Sequence, residues 1–418
     1  MMPYRMSMVC NSLSIKDYCS FVFHFLFRSD KQYKHLFKQE FADYLNVPSD
    51  RLFLFGAGRM GLFSFLKSLN LKTDEEVILP AYTCVVVPNA IAYAGAKVKY
   101  VDVDIRTTNI NTQLLLKSIT DKTRAIIVSH NFGITFNDID LIKTQFPNVV
   151  IIEDAAHALG SVFSDNAKVG TKGDAAFFSF EYSKPITTGM GGLLVINNEA
   201  ILTDYKKNEV DLPEYSFWNR IRIFKTLSTH FVSAVLGIDL LKRALFYLVR
   251  KMGLLYASSQ KELNGEFPEQ YPVALSNSFA YVGFRQIKKL YAIDQHKKEL
   301  SLHYYNFLKK YPSISLYHDK QFVMARFPIL FREEVGMNMI TDVISKLKAG
   351  GIDAGDWFND VVHPRGSHRH GYIENSCPEG EYLAKRMINL PLTIHSRRID
   401  KVLKTLKESF QMIAQIND

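Results

Sequence analysis

The chain has 418 residues, of which 47% are hydrophobic and 22% are charged, with a formal net charge of +9. These values are typical of a folded globular protein large enough for two domains, and they exclude a disordered or fibrous chain. A basic protein suits an anionic substrate, a membrane surface or a nucleic acid. Because the sequence has no zinc-finger spacing and no RNP-type aromatic signature, nucleic acid is the weakest of these partners and is not expected.

The cysteine and hydropathy patterns favour a cytoplasmic protein. The four cysteines lack CxxC spacing, which fits free thiols in a reducing compartment. The first apolar segment, CSFVFHFLF, is interrupted by His24 and has no small-residue cleavage site after it, so a signal peptide is not expected. No uninterrupted apolar run of the sequence has the length that is needed to span a bilayer.

Residues 1–50 are predicted to be a helical lead-in, because FRSDKQYKHLFKQEFADYL has apolar positions at helical spacing. A strand from Leu52 to Phe55 then runs into Gly56-Ala57-Gly58, and a helix is predicted from about Arg59. Backbone N–H groups and the positive end of the helix dipole therefore meet at this turn, which is typical of a phosphate site. A tight turn that uses glycine only for close packing gives the same pattern.

Apolar strands and helical segments alternate from Val77 onwards, ending in the strand VVIIEDA. This alternation implies a parallel sheet with helices on both faces, and ligands bind at the carboxyl ends of such strands. Asp154 stands at that end of the last strand. It is either a helix N-cap or a carboxylate that holds a cationic ring nitrogen.

A single lysine, Lys184, separates two further predicted strands in the stretch Gly173–Gly192, GDAAFFSFEYSKPITTGMGG. A lysine at such a place is either a solvated loop residue or an amine in apolar surroundings. In the second case burial lowers its pKa and makes it a nucleophile towards a carbonyl group.

Several stretches are more specific than a general fold requires: FGAGRMGL, VILPAYTCVVVPNAI, YVDVD, IIEDAAHALGS, GDAAFFSFEYSK, TTGMGG and INLPL. Together they resemble the DegT/StrS family of sugar aminotransferases, densely over Leu52–Asn198 and more sparsely over Leu275–Leu406. The resemblance implies an α/β protein of the fold-type-I class that binds pyridoxal 5′-phosphate. It also implies a homodimer with the active site at the subunit interface.

The resemblance assigns domains to ranges of the chain. A large cofactor-binding domain with a mostly parallel, seven-stranded type of sheet is expected at 51–210. A small α+β domain is expected at 271–418. Between them lies a segment at 211–270 that is longer than the connection in the family.

The same resemblance assigns the catalytic roles. Lys184 would form the Schiff base with the cofactor, and Asp154 would keep its pyridine nitrogen protonated. His157 stands where the family usually has glutamine, near the hydroxyl group of the ring.

Further positions are expected to contact the cofactor. Ser179 and the backbone at Gly58 and Arg59 would bind the phosphate, and Arg59, in place of the usual threonine, would add a charged contact. Cys84 stands where an aromatic ring often stacks on the cofactor, and Tyr82 is a candidate to replace it.

Residues 215–256 form an apolar stretch whose charges are nearly all basic. Two basic amphipathic helices of this kind can lie in a membrane interface, which would make the protein peripheral at the membrane. They can equally cap the active site or pack against a second subunit.

The histidine-rich stretch His363–His370, HPRGSHRH, lies in the small domain. No carboxylate or cysteine completes a ligand set, so a substrate-side loop is predicted and a metal site is not. By resemblance, His363 lies near the sugar.

The sequence therefore predicts an aminotransferase that moves an amino group from an amino acid, by resemblance glutamate, to a nucleotide-linked keto-sugar in surface polysaccharide or glycoconjugate biosynthesis. One alternative is a lipid-linked or other non-nucleotide ketone, because Tyr271-Pro272-Val273 replaces the family's Asn-Tyr-Arg motif. A catalytically silent binding protein with the same fold is the other alternative.

Overall fold

The computed structural model describes residues 13–27, 32–236, 259–393 and 399–414. The helices are α1 (Ile15–Phe27), α2 (Gln32–Leu45), α3 (Gly58–Ser68), α4 (Val86–Ala94), α5 (Thr112–Ser118), α6 (Ile139–Gln145), α7 (Glu199–Lys207), α8 (Phe217–Leu236), α9 (Gln260–Leu263), α10 (Asn277–Ile287), α11 (Leu290–Leu308), α12 (Met337–Ala349), α13 (Pro378–Arg386), α14 (Ile399–Ser409) and α15 (Gln411–Ala414). The strands are β1 (Leu52–Phe55), β2 (Glu76–Pro80), β3 (Thr83–Cys84), β4 (Lys97–Val101), β5 (Val103–Asp104), β6 (Asn109–Ile110), β7 (Thr123–Ser129), β8 (Val150–Asp154), β9 (Ala175–Ser179), β10 (Gly192–Ile196), β11 (Ile314–Leu316), β12 (Phe327–Phe331), β13 (Val362–His363) and β14 (Met387–Leu390).

The main sheet has seven strands in the order β1-β10-β9-β8-β7-β2-β4. The five strands from β9 to β4 run parallel, whereas β10 is antiparallel to both of its neighbours, β9 and β1. The central strands of this sheet are buried almost throughout, because they consist largely of apolar residues and helices cover the sheet. The carboxyl ends of β8 and β9 therefore meet at one edge of the sheet, where Asp154 and Ser179 lie.

A second, smaller core lies in the C-terminal part of the chain. The antiparallel sheet β11-β12-β14 and the helices α11, α12 and α14 supply most of its apolar side chains. Loop residues of the large part of the chain, among them Tyr82 and Phe132, are buried in the same cluster. The parallel pair β3–β13 joins the two parts directly and sets Cys84 beside His363.

The first two helices pack against α10. Asp17 of α1 forms ion pairs with Arg285 and Lys289. Burial of the carboxylate raises the pKa of Asp17, but its hydrogen-bonding partners outweigh this effect and hold the pKa well below the ordinary value. Phe37 of α2 is fully buried and would contact any side chain at Gly283 of α10. The helical lead-in is thus an integral layer of the fold.

The basic apolar segment at 215–256 is described only in its first half, since residues 237–258 lie outside the described ranges. Helix α8 buries Ile223, Leu227 and Phe231. Phe231 stacks on Tyr18 of α1, with ring centroids 4.1 Å apart. No helix within the described ranges is long and apolar enough to cross a membrane.

Candidate active site

Lys184 lies in the turn between β9 and β10, at the edge of the sheet where Asp154 ends its strand. Its backbone N–H donates to the carbonyl oxygen of Glu181 over 3.0 Å, which fixes the start of the turn. The side chain is only 9% exposed and makes neither a hydrogen bond nor an ion pair with any described residue. Burial lowers the pKa of Lys184, an effect that the negative charge of Glu181 opposes and the positive charge of Arg326 reinforces.

Asp154 is a carboxylate without a cationic partner among the described residues. Its one hydrogen bond comes from the backbone N–H of Ala156, over 3.1 Å. Burial raises the pKa of Asp154, and the positive charges of Lys184 and His130 oppose that shift. A buried carboxylate in this position is suited to a ligand that brings its own positive charge.

His157 is held in its neutral form behind Asp154. Burial keeps the pKa of His157 well below its ordinary value, and the charges of Lys184 and Arg326 act in the same direction. Its Nδ1 accepts a hydrogen bond from the backbone N–H of Phe132 over 3.4 Å, so the proton of the neutral ring is on Nε2. The histidine can therefore donate one hydrogen bond through Nε2.

The glycine turn forms a cradle at the positive end of α3. A Cβ atom at Gly58 would lie 2.8 Å from the carbonyl oxygen of Phe178, next to Ser179, so only glycine fits there. The Ser179 hydroxyl makes no hydrogen bond with any residue that the structure describes. Backbone N–H groups, a helix dipole and a serine hydroxyl without a hydrogen bond to the described part of the chain are the donors that a phosphate group requires.

The side chain of Arg59 pairs with Glu262, and its expected charged contact with the phosphate stays a prediction. Its Nε donates to Glu262 Oε1 over 2.5 Å and its Nη2 to Oε2 over 3.2 Å, and both side chains are buried. The carbonyl oxygen of Arg59 accepts a hydrogen bond from the hydroxyl of Tyr271 over 2.9 Å. The guanidinium is thus neutralised by a carboxylate from α9.

Cys84 ends β3, the strand that pairs with β13. Burial raises the pKa of its thiol, whereas the positive charges of Lys184 and Arg59 lower it. Tyr82 is fully buried, and its hydroxyl accepts a hydrogen bond from the backbone N–H of Phe358 over 3.3 Å. Tyr82 therefore belongs to the second core, and the structure gives it no open ring face for stacking on a ligand.

The structure brings His363 into the same region through β13. Its ring stacks on Trp357, with centroids 5.3 Å apart and planes at 23°. Burial lowers the pKa of His363 to about 4, with the charges of Arg326 and Lys184 acting in the same direction. The remaining histidines of the stretch point elsewhere: His370 Nε2 lies 2.6 Å from Asn89 Oδ1, and His368 packs on Gly265.

Two side chains of the site are absent from the sequence-based prediction. The Arg326 guanidinium stacks on Trp357, with Cζ 3.4 Å from the ring centroid, and Lys184 Nζ lies 5.4 Å from the same centroid. The signal in the sequence is one arginine within the otherwise apolar run FVMARFPILF. Nothing in the linear pattern relates this run to Lys184.

A lysine between two strands, a carboxylate at a strand end and a phosphate cradle, arranged on one edge of a mostly parallel seven-stranded sheet, define a fold-type-I pyridoxal-phosphate enzyme. A sequence model described as the DegT/DnrJ/EryC1/StrS aminotransferase family matches residues 26–221 and 239–407. The chain belongs to this family, and it is a pyridoxal-phosphate-dependent aminotransferase.

Individual relatives have low sequence identity to this chain. An uncharacterised protein of Methanocaldococcus jannaschii is 28% identical over 338 residues, which are 79% of this chain and 78% of that protein. A GDP-perosamine synthase of Caulobacter vibrioides is 32% identical over 210 residues, 50% of this chain and 56% of that protein. A putative sugar aminotransferase from Streptococcus pneumoniae, solved in its PMP form, has a TM-score of 0.74 at 19% identity and covers 99% of this chain and 100% of its own.

These comparisons confirm the predicted family, fold class, enzyme class and cofactor. The domain boundaries, the roles of the individual site residues, the homodimer and the cytoplasmic location stay predictions. The residues present fit the cofactor: the cradle at Gly58 has no room for a Cβ atom, and within the described ranges the carboxylate of Asp154 has no cationic partner and the amine of Lys184 has no hydrogen bond or ion pair.

Proposed function

We propose that this enzyme transfers an amino group from an amino acid, with glutamate as the expected donor, to a nucleotide-linked keto-sugar in surface polysaccharide or glycoconjugate biosynthesis. The family supports a sugar acceptor, and GDP-perosamine synthases are among the relatives. The observation that carries the proposal is the buried amine of Lys184, which has no described partner and lies within electrostatic reach of Asp154.

Each side chain has a part in holding the cofactor. The backbone at Gly58 and Arg59 and the hydroxyl of Ser179 would bind the phosphate group. Asp154 would hold the ring nitrogen in its protonated form, and His157 would donate its Nε2 hydrogen to an oxygen of the ring. When bound, pyridoxal phosphate accepts the electron pair that the amino acid releases with its Cα proton.

Lys184 then moves the proton. Because burial lowers its pKa, a larger fraction of its amine is neutral near pH 7 than for an exposed lysine. A neutral amine is a base that can take the Cα proton of the amino acid, hold it at Nζ and return it during the transfer. Burial of the amine thus favours both its nucleophilic and its basic form.

The substitution Lys184→Ala tests this assignment. We expect the wild-type protein to show the visible absorbance of a Schiff base, and the variant to lose that band and on the order of 10³-fold of the transfer rate. Lys207→Ala, which removes an exposed lysine of α7, is the matched control and retains both. A wild-type protein that stays colourless after incubation with the cofactor would show that the silent binding protein is the correct alternative.

A lipid-linked acceptor is the second candidate, and an exposed face of α1 favours it. Four apolar side chains at helical spacing are more than half exposed there: Ile15, Phe23, Leu26 and Phe27. The neighbouring helix α8 exposes the basic residues Arg222 and Lys225. An apolar stripe beside exposed cations, on a chain with a net charge of +9, suits an anionic lipid surface.

Flotation with anionic liposomes separates the two acceptors. Binding that is lost in the double variant Phe23→Ser and Phe27→Ser, while neutral liposomes bind neither protein, supports the lipid surface. Wild-type protein that stays at the bottom of the gradient argues against it. The acceptor itself is then identified by offering keto-sugar nucleotides and lipid extracts separately to enzyme that has already received the amino group.

A further inference from the structure

Arg326 lies directly before β12 and carries a buried charge that no part of the described protein neutralises. The residue is 3% exposed, and its Nε is enclosed without a hydrogen-bond acceptor. Neither a hydrogen bond nor an ion pair links its guanidinium to any residue within the described ranges. Native proteins rarely leave such a group unpaired, because a buried guanidinium has lost its water and gained nothing in return.

The electrostatics of Arg326 agree with this geometry. Burial lowers the pKa of Arg326 to about 9, and the negative charges of Glu181 and Asp353 oppose that shift from beyond ion-pair distance. An arginine is retained in such surroundings when an anionic ligand completes the site. The missing partner is therefore expected to be an anion that arrives with the reaction.

The position of Arg326 relates that anion to the reacting centre. Its Cζ and the Nζ of Lys184 lie 3.4 and 5.4 Å from one ring centroid, that of Trp357. The distance between Cζ of Arg326 and Nζ of Lys184 is therefore at most the sum of these two distances. The amino and α-carboxyl groups of an amino acid are separated by a single carbon atom, so one amino acid can present its nitrogen at Lys184 and its carboxylate at Arg326.

Trp357 prepares the guanidinium for a carboxylate. The indole covers one face of the guanidinium plane, and the N–H groups at the edge of that plane remain as a fork that matches two carboxylate oxygens. The indole Nε1 is also buried without a hydrogen-bond acceptor. Two neighbouring side chains therefore hold buried donors that have no acceptor within the described structure.

The phosphate group of the cofactor is a poorer candidate for this anion. The charge of Arg326 acts on Lys184, His157 and His363, whereas Cys84 is influenced by Arg59 and Lys184. Arg326 directly precedes β12, whose side chains are buried in the second core. The cradle at Gly58 begins α3, which packs in the core of the large part of the chain.

We propose that Arg326, stacked on Trp357, binds the α-carboxylate of the amino donor and thereby makes the enzyme select amino acids over simple amines. This inference rests on the proposed function, because it assigns a residue to the donor of that reaction. Arg326 and Trp357 are then specificity-determining residues. The acceptor, which needs no carboxylate, does not depend on them.

The test compares donors that differ only in the carboxylate. Titration of the holoenzyme with L-alanine and with isopropylamine, followed by absorbance, reports binding and reaction of each amine. We expect Arg326→Gln to raise the dissociation constant of alanine and glutamate about 10- to 100-fold, the effect of losing a charged hydrogen-bonded pair, and to leave isopropylamine unchanged. Arg326→Lys keeps the charge but not the fork of N–H groups. Its dissociation constants for alanine and glutamate are expected to lie between those of the wild type and those of Arg326→Gln.

A second readout needs no turnover. Calorimetric titration of the holoenzyme with glutarate, which carries carboxylates but no amine, is expected to show binding that Arg326→Gln abolishes. Arg332→Gln removes an exposed arginine one residue after β12 and is the matched control, with binding unchanged.

The possible outcomes separate this inference from the proposed function. Equal weakening of alanine and isopropylamine, or an effect on the acceptor half of the reaction alone, would overturn the role of Arg326. A wild-type enzyme that reacts with no amino acid would refute the proposed function. Glutarate binding that still depends on Arg326 would in that case support a carboxylate site.

Discussion

Two buried arginines come from different parts of the fold, and they differ in whether the described protein supplies a charged partner. Arg59, at the start of α3, forms a two-bond ion pair with Glu262, and both side chains are at most 10% exposed. Arg326, before β12, is equally buried and has no such partner among the described residues. The first charge is satisfied by the fold, whereas the second is available to a ligand.

The partner of Arg59 is itself firmly placed. Glu262 lies in the short helix α9, where it forms a capping box with Ser259. Its backbone carbonyl accepts a hydrogen bond from Asn89 over 2.7 Å. The ion pair thus connects α9 to α3, and the hydrogen bond from Asn89 connects α9 to α4. Together these two interactions hold α9 against the helix that begins at the cradle.

Removing the partner of the satisfied arginine is expected to have the largest effect on stability. Glu262→Gln keeps the shape and the capping hydrogen bond but removes the carboxylate that pairs with the buried Arg59, so the free energy of unfolding should fall by about 3 kcal/mol. Urea unfolding followed by circular dichroism measures the change. Glu269→Gln, which breaks the exposed pair with Lys261 near the same helix, should leave the midpoint unchanged. Equal effects of the two substitutions would show that the buried pair has no special role.

Removing the unsatisfied arginine is expected to act in the opposite direction. Arg326→Met replaces a buried charge that has no ion-pair partner among the described residues by an apolar side chain, so we expect the free energy of unfolding to rise by about 1 to 2 kcal/mol. The same variant should lose selective binding of amino acids. Urea unfolding in the absence of any amino donor measures the first effect. A variant that is less stable than the wild type would indicate that Arg326 supports the fold.

The same contrast exists between two carboxylates, and it predicts a pH dependence. Asp17 is paired with cations, whereas Asp294 has an enclosed oxygen without a hydrogen-bond donor among the described residues, and burial raises its pKa to about 7. Because the folded state binds this proton more tightly than the unfolded state, the contribution of Asp294 to stability is present below the ordinary pKa of an aspartate and is lost as the pH rises to 7. Asp294→Asn should therefore be nearly equal to the wild type in stability at about pH 3.5, become the more stable protein as the pH rises to 7, and keep that advantage at about pH 8.5. A pH-independent difference between the two proteins would contradict this assignment.

The smallest effect concerns His363. Its pKa is lowered to about 4, so its stabilising contribution is present above its ordinary pKa and is lost as the pH falls towards 4. The charge of Arg326 is one cause of the lowered pKa, so Arg326→Gln should raise the pKa of His363, whereas Arg332→Gln should not. NMR titration of the ring protons measures both. An unchanged pKa of His363 in Arg326→Gln would show that the guanidinium of Arg326 is too far from the imidazole ring to affect its protonation.

Much of the active site could be predicted because its parts are local. The glycine turn before α3, the acid that ends β8 and the lysine after β9 are each encoded within a few residues. The strand alternation indicated a mainly parallel sheet, but the reversed direction of β10 between β1 and β9 is a property of the connections and is not visible in the strand pattern.

The sequence by itself determined the family, the cofactor and the candidate lysine, since these depend on short motifs in a fixed order. Only the tertiary structure decided which charges are satisfied. Arg59 and Glu262 are 203 residues apart along the chain. Arg326 is likewise distant in sequence from both Trp357 and Lys184, although the fold brings the three side chains together. A residue's burial and its partners depend on chain folding over such separations, and for this reason the charge left for a ligand appears only in the folded protein.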